Sequence, residues 1–277
     1  MPGRIINARS INSTVCFHCL DNKLADRFEF LAAEPEVAIA SGEIVNVGTA
    51  SDHEDFYDFE PPYDGRPGTR DHLLSRAHQI LRDLMIAETV GCPIIHGASV
   101  LVNQKRILLM AEKGVGKTTL SLKCLSDGLT VEGDEHVVIR QHDVVARPRT
   151  LRIKQGSITM VPELARQVQQ SPTVTEWNGD LIYSVAPRLV DQEWKIRPGR
   201  ADTLLFLTAN HGGLTSIRFL TPSEAYGRLM KTTYLPKDNR AAALGRMHML
   251  VSGAQVVEMR LGCLQSAVWH LRQLSAL

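Results

Sequence analysis

The sequence has no apolar run longer than about five residues, the stretch 107–111 being an example. A membrane-spanning helix needs about 20, so no membrane partner is expected. It has no charge surplus either: 31 Lys and Arg face 30 Asp and Glu, a formal net charge of +1. A dedicated nucleic-acid binder carries a basic excess or stripe. Nucleic acid is therefore not an expected partner, although one local phosphate site remains compatible with the balance. The five cysteines are an odd number and fit reduced thiols better than a disulfide framework. Cys16-Phe17-His18-Cys19 has no second cysteine pair to complete a four-ligand zinc site. Met1-Pro2-Gly3-Arg4 lacks the apolar core of a signal peptide, so a cytoplasmic location is expected. There is no internal repeat and no low-complexity tract.

What is present is the composition of a globular chain: 277 residues, 44% hydrophobic and 22% charged, enough to bury a sizeable core. Residues 1–70 read as a small β-rich region, with strands over 28–31 and 43–47. The stretch 52–64 holds six acids and no Lys or Arg and reads as a solvated loop; docking of a basic segment is the lesser alternative. Residues 71–91 show helical spacing through Leu73, Leu74, Ala77, Leu81, Leu84 and Met85, with Asp71 as N-cap, and form a connecting helix. From residue 92 strands and helices alternate, which favours an α/β core over 92–277. Residues 99–102 and 106–110 form a hairpin around Asn103-Gln104-Lys105. Thr221-Pro222-Ser223-Glu224 carries the marks of a capped helix start. Asp238 caps another helix that Gly253 ends. Strands are expected over 203–207, 216–220 and 256–261, and a final helix from Leu264.

The strongest chemical signal is Ala111-Glu112-Lys113-Gly114-Val115-Gly116-Lys117-Thr118. It follows an apolar strand and opens a helix, the context a phosphate-binding loop requires. Glycines let successive backbone N–H groups turn toward an anion, and the helix N-terminus adds unpaired donors. The expected nucleotide contacts are Gly114, Val115, Gly116, Lys117, Thr118 and Thr119. Lys117 reaches the terminal phosphates, and Thr118 offers its hydroxyl to Mg²⁺. Ala111 stands where the usual pattern begins with Gly, which is tolerable if that position is extended.

Such a loop needs a carboxylate to hold metal or take a proton. The run 129–135 ends in Asp134 and Glu135, and its strand is expected beside the loop's own strand. Asp134 and Glu135 are the candidates for holding the metal, with Thr118, or for taking the proton. His96 precedes the hairpin and could donate to a phosphate. Arg147, Arg149, Arg152 and Lys154 form a basic cluster, either neutralising a transferring phosphoryl group or lining an edge strand; Arg152 and Lys154 share a face.

His96-Gly97-Ala98-Ser99-Val100, the glycine loop, Gly133-Asp134-Glu135 and the later run 151–158 resemble, in that order, the catalytic core of HPr kinase/phosphorylase. They resemble most the shorter HPr-kinase-like proteins. The resemblance is firm over residues 92–160 and looser beyond. It implies a phosphoenolpyruvate-carboxykinase-like core with the loop at the end of a mixed sheet, ATP and Mg²⁺ as cofactors, and a homo-oligomer. It implies transfer of the γ-phosphate to a serine hydroxyl of a protein or peptide, with Lys117, Asp134, Glu135 and His96 as catalytic residues. Where the family has two Asp, this chain has Asp134-Glu135, and Arg152 stands at an acidic position. Two other readings stay open: a kinase acting on a small-molecule hydroxyl, and a nucleotide-binding scaffold or switch without transfer.

Overall fold

The structure is a computed structural model and describes residues 4–19, 22–28, 31, 42–49, 57–59, 68–175, 179–191 and 194–276. It begins with strands β1 (Arg4–Arg9) and β2 (Thr14–Cys19), helix α1 (Asn22–Phe28), strands β3 (Gly42–Thr49) and β4 (Tyr57–Phe59), and helix α2 (Arg70–Glu88). Strands β5 (Ile94–Val102) and β6 (Lys105–Ala111) lead to helix α3 (Lys117–Ser126). Short strands β7 (Thr130–Gly133), β8 (His136–Ile139), β9 (Val144–Ala146) and β10 (Leu151–Lys154) precede helices α4 (Gln155–Met160) and α5 (Ala165–Gln170). Then come β11 (Thr173–Thr175), β12 (Leu181–Val185), β13 (Thr203–Ala209) and β14 (Ser216–Phe219). Helix α6 (Pro222–Lys231), β15 (Thr233–Tyr234), α7 (Arg240–Gly253), β16 (Gln255–Leu261) and α8 (Leu264–Leu274) complete the chain. Among the described residues, no helix is long and apolar enough to cross a membrane.

The chain divides into two compact units. The first comprises Met1–Glu88, Pro148–Lys154 and Gln169–Ala186; helix α2 belongs to it. Its sheets run β1-β2-β3-β4 and β10-β12-β11. Val15, Phe17 and Cys19 alternate along β2 into a core with Leu24, Phe28, Leu73 and Leu74, and the Phe17 and Phe28 rings meet edge-on at 5.1 Å. The expected strand over 28–31 is not formed at Phe28, which is the last residue of α1. Leu24, Ala25 and Phe28 are all fully buried, and their i, i+1, i+4 spacing suits a helix face. Cys16 and Cys19, three apart on one strand, face opposite ways, so the pair does not converge on one metal. Burial raises the Cys16 thiol pKa. Of the acidic stretch 52–64, only Tyr57–Phe59 is described, as strand β4. Helix α2 starts one residue before Asp71; Thr69 is its cap, its hydroxyl accepting from the His72 N–H at 3.4 Å. Arg152 and Lys154 share a face of edge strand β10, between buried Leu151 and Ile153, and Lys154 pairs with Asp180 at 2.6 Å. Arg147 and Arg149, by contrast, are buried.

The second unit comprises Thr89–Arg147, Gln155–Val168 and Pro187–Leu277. Its mixed sheet runs β14-β16-β13-β6-β5-β8-β9, with β7 and β15 also paired to β5. Strands β6, β13 and β16 are parallel neighbours, and β5 returns antiparallel on β6. The β5–β6 hairpin closes through Asn103 and Gln104, both in the left-handed region at φ 49° and 65°, the pattern of a two-residue turn whose twist matches its strands. Leu108, Met110, Leu204 and Phe206 pack with Leu229, Met247 and Val251 of α6 and α7. Their neighbours of opposite parity, Ile107, Leu109 and Leu205, are also fully buried. Strands buried on both faces read as near-continuous apolar runs, as 107–111 does.

Helix α6 begins as its sequence predicts. Thr221 Oγ1 accepts from Glu224 N at 3.3 Å, and the Glu224 carboxylate accepts from Thr221 N at 2.9 Å. That backbone bond and the Arg218 guanidinium hold the Glu224 carboxyl down at about 2. Thr221→Ala is expected to lower stability by about 1 kcal/mol, read as a shift in the chemical-denaturation midpoint. Helix α7 is capped by Asn239, in the left-handed region and with no side-chain cap bond, not by Asp238.

Candidate functional site

Ala111 is the last residue of β6 and pairs with Leu207 of β13. The position that usually holds Gly is thus extended strand, where Ala fits without strain. The chain then turns through Glu112, Lys113 and Gly114 (φ 89°) to Gly116 (φ 110°), the N-cap of α3. Both glycines occupy backbone that L-residues rarely adopt. A Cβ on Gly114 would meet nothing within 4 Å, whereas one on Gly116 would come within 3.1 Å of Leu261 Cδ2. Gly114 therefore faces open space, and Gly116 is pinned against the end of β16. The N-cap makes no side-chain cap bond, so no cap side chain occupies the first-turn amides of α3.

Lys117, the first residue of α3, is 8% exposed, and Asp134 is 6% exposed. The Lys117 Nζ donates to the Asp134 backbone carbonyl, which brings the ammonium to the same turn as the Asp134 carboxylate. That carboxylate has no hydrogen bond or ion pair among the described residues. Thr118 is half-buried. Thr119 turns away: its hydroxyl bonds to Ser157 of α4 at 2.7 Å, so only its backbone can meet a phosphate. Glu135 Oε2 lies 3.5 Å from His136 Nδ1. His96 is exposed, pairs with His136 across β5 and β8, and its ring lies 6.3 Å from that of His136.

The acid-bearing strand does not lie beside the loop's own strand. β7 pairs with β5, because β6 already has β5 on one edge and β13 on the other. Glu132, within the same acidic run, is fully buried and taken up structurally. Its carboxylate accepts from Arg106 Nε at 2.8 Å, Arg106 Nη2 at 3.0 Å, Ser99 Oγ at 2.6 Å and Arg197 N at 3.2 Å.

A cleft of about 860 Å³ opens beside the loop. Its lining includes His96, Lys113 and Val115, together with Arg228, Lys231 and Tyr234 from α6 and β15. It lies at the carboxyl ends of β6 and β13, where open α/β sheets bind ligands. Arg228 is held by Glu258 at 2.7 Å. Burial alone would raise the Glu258 carboxyl, but bonds from Arg228 and Arg218 outweigh it and hold its pKa below the usual value. The α6–β15 wall carried no sequence signal beyond its cap. Its nearness to the loop depends on β15 pairing with β5, a contact between segments far apart in the chain.

The residues fit a nucleotide with Mg²⁺. Gly114 leaves open space in front of the loop. Among the described residues no cluster of three His, Cys, Asp or Glu could hold a metal alone. Mg²⁺ on nucleotides uses one or two protein oxygens and substrate phosphates rather than a protein cage, and Thr118 and Asp134 carry a hydroxyl and a carboxylate of that chemistry.

No protein-family model matches the sequence, and no curated protein does. Among solved structures, the Hpr(Ser) kinase/phosphatase from Coxiella burnetii is similar over 66% of this chain and 93% of its own, at 10% identity and a TM-score of 0.32. That score is too low to assign a fold, so the site stands on this chain's own residues.

Proposed function

We propose that this chain is an ATP- and Mg²⁺-dependent phosphotransferase that passes the γ-phosphate to a serine hydroxyl of a protein or peptide. The observation that carries the reading is the joining of the Lys117 ammonium to the turn that bears the Asp134 carboxylate, at the foot of a loop whose Gly114 faces open space. Phosphoryl transfer asks a protein mainly for positioning and charge neutralisation. The loop amides and Lys117 bind the phosphates, and Thr118 with Asp134 would hold Mg²⁺. Bound there, the ion neutralises charge on the transferring group. Asp134 accepts the proton of the acceptor hydroxyl, and His96 donates a hydrogen bond from the cleft. Serine as acceptor rests on the order of the motifs in the sequence. A nucleotide-binding switch without transfer is the second reading. It is favoured by Glu135 lying against His136, which leaves Asp134 as the one acid of the pair free for the site.

Thermal unfolding with and without MgATP tests the nucleotide part. At 100 times its dissociation constant a ligand stabilises the folded state by about 2.7 kcal/mol. A rise in melting temperature is expected for wild type and none for Lys117→Met, with matching circular dichroism for the two proteins. An equal rise in both, or none in wild type, would overturn the proposal.

A further inference from the structure

The second unit holds another pocket, of about 370 Å³, whose composition the glycine loop does not account for. Its walls are the β8–β9 turn, the residues just before β13 and the last turns of α7. Strands β6, β13 and β16 run parallel toward the loop. Arg200 precedes the first residue of β13, and Gly253 precedes β16. Arg200 and Gly253 thus stand at the amino ends of these strands, whereas the loop follows the carboxyl end of β6. Seven residues of β13 at roughly 3.3 Å each set Arg200 about 20 Å from the carboxyl end of that strand.

Three guanidinium groups, Arg140, Arg200 and Arg246, line this pocket with a single acid, Asp143. Arg140 already offsets that acid through Nε at 2.6 Å. Arg246 is anchored by one nitrogen, Nη1, to the Gly91 carbonyl and the Cys92 sulfur. The Arg200 guanidinium has no hydrogen bond or ion pair among the described residues; only its backbone carbonyl is used, accepting from Arg106 at 3.1 Å. Two positive charges are thus left without an anion among the described residues in one concavity, which exposed His142 also lines. Like charges gathered this way repel unless a counter-charge joins them. A guanidinium fork matches the oxygens of a phosphoryl group in paired hydrogen bonds. Beside the arginines, Met249 is 67% exposed, an apolar surface for the rest of a ligand.

We infer that this pocket binds a small phosphomonoester, its dianion taken by Arg200 and Arg246 and its carbon skeleton laid against Met249. The competing account is that the arginines merely complement the negative end of the α7 dipole, which requires no ligand.

Calorimetric titration with phenyl phosphate distinguishes the two. Wild type is expected to bind one molecule per chain, Arg200→Gln at least tenfold more weakly, and Lys113→Gln, altered in the cleft beside the glycine loop, like wild type. Met249→Glu sets a carboxylate in the pocket at an exposed position and is expected to abolish binding. It keeps the test decisive if Arg200→Gln unfolds early. Absence of binding to wild type, equal binding by wild type and Met249→Glu, or loss of binding in Lys113→Gln would each overturn the inference.

Discussion

Glu132→Ala is expected to destabilise the protein by about 3–5 kcal/mol, measured by chemical denaturation. Glu132 is fully buried and Arg106 is 6% exposed. Arg106 forks onto both Glu132 oxygens and also donates to the Arg197 and Arg200 carbonyls. Removing the carboxylate strands a buried guanidinium and leaves the Ser99 hydroxyl and Arg197 amide without their acceptor. The loss is a large share of the total, since whole domains are stable by only about 5–15 kcal/mol. Replacing both partners, as in Glu132→Leu with Arg106→Met, is expected to recover much of it, because apolar groups of similar volume need no counter-charge. A single-variant loss below about 1 kcal/mol would show that water reaches the pair and compensates.

The second large effect concerns transfer itself. Asp134→Asn keeps shape and volume but lacks a carboxylate to accept a proton. Phosphate transfer from ATP to a serine-containing acceptor is expected to fall at least a hundredfold, in line with the roughly 10²–10⁴ that a positioned acid or base contributes. Lys117 bonds the backbone carbonyl of Asp134, not its side chain, so the substitution leaves that anchor in place. A filter-binding assay with labelled nucleotide reports whether the loop is still filled. Retained nucleotide with lost transfer supports the kinase reading; wild-type transfer by Asp134→Asn would remove Asp134 from the mechanism. Wild-type protein that binds nucleotide but phosphorylates no acceptor would favour the switch.

Local signals carried much of the second unit. The run 107–111, the Lys117 helix start and the Thr221 capping box each depend on residues within a few positions of one another, and all formed at the expected places. Phe28 reads as strand because it opens a short aromatic and apolar run, whereas Leu24 and Phe28 face one core across a helical turn. Asp71 and Asp238 each missed the cap by a residue or two, since boundary choice among neighbouring polar residues turns on backbone angles. Glu132 read as one more acid in a polar run. Its burial depends on Arg106 and Arg197, whose approach no local pattern encodes. The same holds for the bond between the Thr119 and Ser157 hydroxyls, which joins residues far apart in the chain.

Gly116 rests against Leu261, at the end of β16, while its own strand is closed by the tight Asn103-Gln104 turn. Hairpins form within about 1–10 μs, so a growing chain can complete the near side of the loop soon after residue 111 is free. The far side waits for β13 and then β16, which emerge much later than β6. A ribosome-bound chain thus carries the glycine motif long before it carries the seat that fixes its shape.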